Sequence, residues 1–286
     1  MPSLIDIRRR VRSVRNTQQI TKAMKMISAA KLRKAQDRAL SARPYAATLR
    51  QILANVAEAA QQNPNAGAHP LLAARPEQRI LIVVVTADRG LAGGFNSNLL
   101  RLAQRFVDEH QAKELSFELI GRKGRDYFRR RGVKILADYL DVFRNVRWED
   151  AEKIANSIIE RFSSGEVDSV YLFGNEFKSV VASNVAYARI LPIEAPKSAA
   201  PADYIYEQPP EELLSSLLPR YVRVQLYRAL LESAAAEHAA RMTAMDAATN
   251  NATEMIDRLT LYMNRVRQAS ITREIIEIVS GAAALE

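Results

Sequence analysis

Asp88 follows the apolar run Arg79 to Ala87 (RILIVVVTA) and opens the glycine-rich stretch DRGLAGGFN, ahead of a helical pattern. Strand, glycine turn and helix in that order place backbone amides where they can cradle a phosphate. An aspartate at a strand end can hold a metal or act as a nucleophile. Here the glycines stand at 90, 93 and 94, which does not make GxGxxG, and no Gly-Lys-Ser/Thr follows. A turn or capping role is the commoner one for an aspartate in this position. A second glycine turn, GRKG at 121–124 beside Arg125 and Arg129 to Arg131, resembles the GxxG loop that clamps RNA backbone in KH domains. A strand-to-helix turn with a solvated basic face accounts for the same residues.

Other chemistry is limited by what the chain holds. With no cysteine, disulfides, thiolate metal sites and thiol nucleophiles are excluded. Only His69, His110 and His238 could supply imidazole, and none has a partner at metal-ligand spacing on a common face. No HExxH, Ser-His-Asp spacing or paired-carboxylate cleft appears. On these residues neither a thiolate nor a histidine metal site is expected. The opening MPSLIDIRRR lacks the apolar core of a signal peptide, and the longest aliphatic run, Ile80 to Val85, is far too short to span a bilayer. The protein is expected to stay in the compartment where it is made and to meet a membrane only through another protein.

The elements that must position these residues are unusual. Arg220 to Ser280 runs for 61 residues without Gly or Pro, which as a helix would span roughly 90 Å at about 1.5 Å per residue. Met245, Ala248, Ala252, Met255, Leu259, Tyr262, Val266 and Ala269 alternate steps of three and four, the pattern of a supercoil seam. Nine alanines between Ser233 and Ala252 make this helix slim and open to close approach by a partner. Ser3 to Arg43 is a second breaker-free stretch, with Leu4, Ile7, Val11 and Val14, then Ile20, Met24 and Ile27 at helical spacing. Ser3 with Asp6 three residues on forms an N-cap. Pro44 interrupts or kinks this helix, and 45–61 resumes it. The last stretch, Ile271 to Leu285, has more apolar width than one facing helix covers, so something else must enclose it.

Between the helices the periodicity changes. Strands are expected at 79–87, 115–121, 133–138, 167–173 and 179–190, with helices at 96–109, 123–131 and 149–163, an alternation that implies parallel pairing. Proline-rich segments flank this block. The expected division is a long N-terminal helix (1–61), a linker (62–78), a Rossmann-like α/β domain (79–193), a second linker (194–210) and a long C-terminal helix (211–286). The terminal helices would form an antiparallel two-helix coiled coil into which the α/β domain is inserted.

Charge is concentrated. Residues 1–43 hold twelve Lys or Arg against Asp6 and Asp37, a local balance of +10, while the whole chain carries +9. Arg8, Arg9, Arg10, Arg12 and Arg15 cover more than one helical face, as suits a rod surrounded by a partner, whereas a nucleic-acid groove reader concentrates its charge on one. Three readings stay open on the residues alone. They are a mechanical subunit whose rod inserts into a partner, a small nucleotide-binding α/β enzyme with helical arms, and a nucleic-acid-binding protein using the basic N-terminal helix.

Three stretches carry a resemblance: IRRRVRSVRNTQQITKAMKMISAAKLRKAQ at 7–36, DRGLAGGFN at 88–96 and ARMTAMDAATNNATEMIDRLTLYMNRVRQASITREIIEIVSGAAAL at 240–285. On these the chain closely resembles the gamma-subunit family of bacterial F-type ATP synthases. The resemblance implies a rotor shaft that turns inside a ring of alternating alpha and beta subunits and couples proton flow through a membrane ring of c subunits to ATP synthesis. It implies a non-catalytic subunit that binds neither nucleotide nor nucleic acid, has the epsilon subunit as a further partner, and is held at the cytoplasmic face of the bacterial inner membrane. Arg267 and Gln268, with Met24 and Lys25, match positions that contact beta subunits in the family. Tyr204, Tyr206 and Glu207 match a segment near epsilon and the membrane ring. Met24 also reads as seam packing and Tyr206 as a core aromatic. Ala92 stands where many relatives have cysteine, and the cysteine pair of chloroplast forms is missing, so thiol regulation is not implied.

Overall fold

Ser3 starts the first helix with a reciprocal cap. Its Oγ accepts the Asp6 N–H at 3.2 Å while Asp6 Oδ2 accepts the Ser3 N–H at 3.3 Å. The structure, a computed structural model, describes residues 3–61, 69–179, 182–194 and 208–283. Helix α1 (Leu4–Gln61) runs unbroken through Pro44. Proline there removes one N–H and frees the carbonyl of Leu40, which belongs to an exposed residue where solvent can satisfy it. The expected interruption at Pro44 is therefore not found.

Then follow β1 (Arg79–Val85), α2 (Phe95–Glu109), β2 (Glu114–Ile120), α3 (Arg122–Arg129), β3 (Lys134–Tyr139), α4 (Trp148–Ser163), β4 (Ser169–Phe177), β5 (Ser183–Leu191) and α5 (Pro210–Ala283). The strands form one sheet in the order β3-β2-β1-β4-β5. β1 pairs in parallel with β2 and β4, as does β2 with β3. β5 corrects the expectation of parallel pairing throughout, because it lies antiparallel to β4. The five residues 178–182 are too few for a crossover helix, and a connection that short joins only antiparallel neighbours.

Central β1 explains its own composition. Ile80, Ile82 and Val84 face α2 and α3, packing with Leu99, Phe106 and Phe128. Leu81, Val83 and Val85 face the other way, into a core with Ile154, Ile158 and Phe162 of α4. A strand covered on both faces has no reason to alternate polar residues. That second core also takes Leu53 and Val56 of α1 and Leu218, Val222, Leu226 and Leu230 of α5. Parts of both long helices are thus core helices of the sheet. One compact unit is Ala29–Arg241; the other joins Met1–Ser28 with Met242–Glu286. Of the expected linkers, 62–68 and 195–207 lie outside the described residues, whereas Leu71 is buried in the sheet's core.

Candidate functional site

In the smaller unit α1 and α5 run antiparallel, and polar pairs link them. Gln18 Nε2 donates to Thr253 Oγ1 at 2.7 Å, the hydroxyls of Thr21 and Thr249 lie 2.8 Å apart, and Lys25 Nζ donates to Asp246 Oδ1 at 2.5 Å. The less exposed positions of α1 follow a phase of threes and fours, Leu4, Ile7, Val11, Val14, Gln18, Thr21, Lys25, Ser28 and Leu32, with half-buried Met24 beside it. This corrects the expected face, since Ile20 and Ile27 stand 60% and 56% exposed. On α5 a phase of less exposed positions runs through Met245, Thr249, Ala252, Ile256, Leu259, Met263 and Val266, with Ala248 less exposed beside it, while Met255 and Tyr262 are exposed. The expected seam shares Met245, Ala252, Leu259 and Val266, and Ala248 is less exposed as well, whereas Met255 and Tyr262 are displaced by one residue. Threonine is admitted to the seam because its hydroxyl has partners there: Thr249 Oγ1 also donates to the Met245 carbonyl at 2.7 Å. Counting apolar residues favours Met255 and Tyr262 instead. Extending the phase of Leu4, Ile7, Val11 and Val14 unchanged finds the true α1 seam.

An apolar stripe therefore remains outward on α1, at Ile20, Met26 and Ile27, all more than half exposed. At the far end of α5, Ile271, Ile275, Ile276, Ile278 and Val279 are 48% to 71% exposed. Isolated exposed apolar residues are ordinary, but five within nine positions of one helix make a patch that wants covering. Arg8, Arg9, Arg10, Arg12 and Arg15 are all exposed, and among the described residues none has an ion-pair partner. Of the sequence-predicted contacts, Met24 is half-buried, Lys25 is tied to Asp246, and Arg267 and Gln268 are exposed. Tyr204, Tyr206 and Glu207 lie outside the described residues.

The two glycine turns are internal joints. Asp88 Oδ1 accepts the Arg122 N–H at 3.0 Å, the Ala87 carbonyl accepts that of Lys123 at 3.1 Å, and Thr86 Oγ1 accepts that of Gly124 at 2.8 Å. These GRKG amides are thus engaged within the chain, so the turn is not a backbone clamp for RNA. Gly121 has φ +88°, and a Cβ there would stand 2.0 Å from the Thr86 carbonyl oxygen. In DRGLAGGFN, Asn96 Oδ1 accepts the Ala87 N–H at 2.9 Å, and Ala92 is buried with Ala87, Phe95 and Ala236 of α5.

Polar clasps, which sequence reasoning missed, fasten the sheet to α5 in the larger unit. Arg241, held by nearly buried Glu237 at 2.7 Å, donates to the Gly90 carbonyl at 3.2 Å. Buried Ser233 accepts the Asn175 N–H at 3.2 Å, and neighbouring Glu232 is 3.5 Å from Arg43 of α1. Burial holds the pKa of His238, on the same turn, below its ordinary value. No group of three or more His, Asp or Glu among the described residues could hold a metal, and no described helix is long and apolar enough to cross a membrane.

A family model described as ATP synthase matches residues 3–285. The ATP synthase gamma chain of Solibacter usitatus (strain Ellin6076) is 62% identical over 286 residues, covering all of both chains. That of Anaeromyxobacter sp. (strain Fw109-5) is 54% identical over 291 residues, again covering both fully. Among solved structures, a chain of the Tetrahymena thermophila mitochondrial ATP synthase central stalk and c-ring superposes with a TM-score of 0.62 at 25% identity, covering 80% of this chain and 99% of that one. A chain of the Euglena gracilis mitochondrial ATP synthase matches at a TM-score of 0.67 over 99% and 94%, and at 17% identity it speaks for the fold alone.

Proposed function

Since the chain belongs to the ATP synthase gamma-chain family, we propose a residue-level account of how it serves as the central shaft of that complex. The shaft couples proton flow to ATP synthesis by turning within the complex. Its catalytic surroundings are the alpha and beta subunits, with epsilon and the ring of c subunits at the other end, and the chain itself performs no chemistry. The coiled coil of the helices at 1–61 and 211–286 sits inside the ring of alpha and beta subunits, and the body at 79–193 stands on the membrane ring beside the epsilon subunit. That ring holds the protein at the cytoplasmic face of the inner membrane.

The observation that carries this reading is the uncovered isoleucine patch at 271–279 on the end of a 74-residue helix. Its neighbour in sequence, the exposed pair Arg267 and Gln268, offers a guanidinium and an amide to a loop of a beta subunit. Met24 and Lys25 meet beta subunits from α1, with Lys25 already steered by Asp246. Tyr204, Tyr206 and Glu207 serve the epsilon and ring end. The clasps at Gly90–Arg241 and Asn175–Ser233 give the body a grip on α5 through which torque passes.

The test is reconstitution. Isolated chain is expected neither to bind nor to hydrolyse ATP, yet to restore rotation-linked turnover when mixed with alpha and beta subunits. Micromolar ATP binding to the isolated chain by calorimetry, abolished by Asp88→Ala, would replace the shaft with a nucleotide-binding reading.

A further inference from the structure

In the larger unit, a groove of about 450 Å³ opens between α1, the start of α4 and α5. Three guanidiniums line it, those of Arg38, Arg220 and Arg228, and among the described residues no Asp or Glu does. Arg38 donates to a neutral acceptor, Asn145 Oδ1, at 3.1 Å, and Arg220 lies 5.7 Å above the Tyr45 ring. Arg228 does reach a carboxylate, Glu232 at 3.2 Å, but Arg43 shares that carboxylate from 3.5 Å. Positive charge in the groove is thus underpaired.

Its walls are aromatic: Tyr45, Trp148 and Tyr227, the last two edge to face with ring centres 5.4 Å apart. Val224 and Leu231 give it an apolar floor. Trp, Tyr and Arg are the side chains that anchor interfaces, since they combine large apolar area with directed polar groups. Arginine adds a planar fork suited to a carboxylate. The pocket has room for one or two large side chains, and an apolar floor is satisfied by an apolar group, which a free inorganic anion lacks.

We infer that this groove docks an acidic amphipathic segment of a partner subunit, one that inserts a bulky apolar side chain against Trp148 and Tyr227 and presents Asp or Glu one turn away to Arg38 and Arg220. The inference rests on the chain working within a multisubunit complex and adds a contact surface that the shaft role does not require.

The test uses the assembled complex. Tyr45→p-benzoylphenylalanine keeps an aromatic ring while making the groove photoreactive, and the same group at Ala42 serves if the first variant does not assemble. Irradiated, purified complex should give an adduct that mass spectrometry maps to a partner segment with at least two Asp or Glu within a helical turn of the captured side chain. Adding Arg38→Glu and Arg220→Glu should lower its yield about tenfold by setting like charges against it. An adduct on a segment without acidic residues, on lipid or on a second copy, or no adduct from a complex that assembles, would overturn the inference. Trp148, the one tryptophan in the chain, reports on the remaining alternative. Its emission in the isolated chain should not respond to millimolar inorganic phosphate, and a saturable response would make the groove a small-anion site instead. ATP hydrolysis by the variant complexes reads the shaft role separately.

Discussion

Asp168 binds the first residue of β1 to the strand beside it. Its Oδ2 accepts the backbone N–H of Arg79 at 2.8 Å and of Gln78 at 3.2 Å, while Oδ1 accepts from the Arg79 guanidinium at 2.7 Å. The Arg79 side chain is the main reason its pKa lies below the ordinary aspartate value, and the two backbone donors add to it. A lowered folded-state pKa means that the stability Asp168 lends is complete above the ordinary aspartate range and disappears as pH falls through the lowered value. Asp168→Asn should therefore cost about 2 kcal/mol at neutral pH, the scale of a nearly buried hydrogen bond to a charged group, and that difference should vanish in strong acid. Urea unfolding of both proteins between neutral pH and about pH 2 measures it, and a gap independent of pH would assign the loss to packing instead. Glu118 acts in the opposite sense. Burial raises its pKa despite Ser157 and Arg161, so its contribution is lost as pH rises and does not mimic the Asp168 signal.

At the scale of elements, the shaft's register is the testable quantity. One residue inserted between Leu259 and Thr260 turns everything beyond it by about 100°, whereas seven turn it by about 20° and lengthen the helix by roughly 10 Å. The single insertion should mis-seat Arg267, Gln268 and the isoleucine patch, so that proton-driven synthesis falls much further than hydrolysis. The longer one should keep the seam and fail at assembly or rotation. Both are read in reconstituted vesicles, and full coupling in the single-residue variant would show that register does not carry the signal. Some of this was legible in the sequence. RILIVVV announces a strand covered on both faces, and the length of two breaker-free stretches announces the helices. The seam's phase was harder, because Gln18, Thr21 and Lys25 occupy it while Ile20 and Ile27 face away, and a hydrophobicity count assumes the reverse. β5's direction depends on a few residues at 178–182. The clasps join positions 58 and 151 residues apart, and nothing local marks them.

For the whole molecule, the decisive property is where its charge sits. The described part of α1 up to Arg43 carries the +10 balance while the remaining residues come close to neutral, so the chain's field belongs to one helix. Arg8, Arg9, Arg10, Arg12 and Arg15 are exposed and, among the described residues, unpaired, which leaves their field to act on whatever surrounds them. A field of this kind speeds encounter and sets orientation more than it adds affinity at close contact, and it is screened over about 10 Å at 0.1 M salt. Replacing Arg8, Arg9, Arg10 and Arg12 together with glutamine leaves the seam at Leu4, Ile7 and Val11 intact, so helix pairing should survive. Assembly with alpha and beta subunits should then slow markedly at low salt. Wild type should lose this advantage as salt rises, until the two proteins assemble at similar rates near 1 M, where the screening length is about 3 Å. Stopped-flow assembly across that range decides the matter. Equal rates at low salt would mean that the apolar patch alone brings shaft and partners together, whereas a deficit that persists at high salt would mean that these arginines act through short, desolvated contacts rather than through their field.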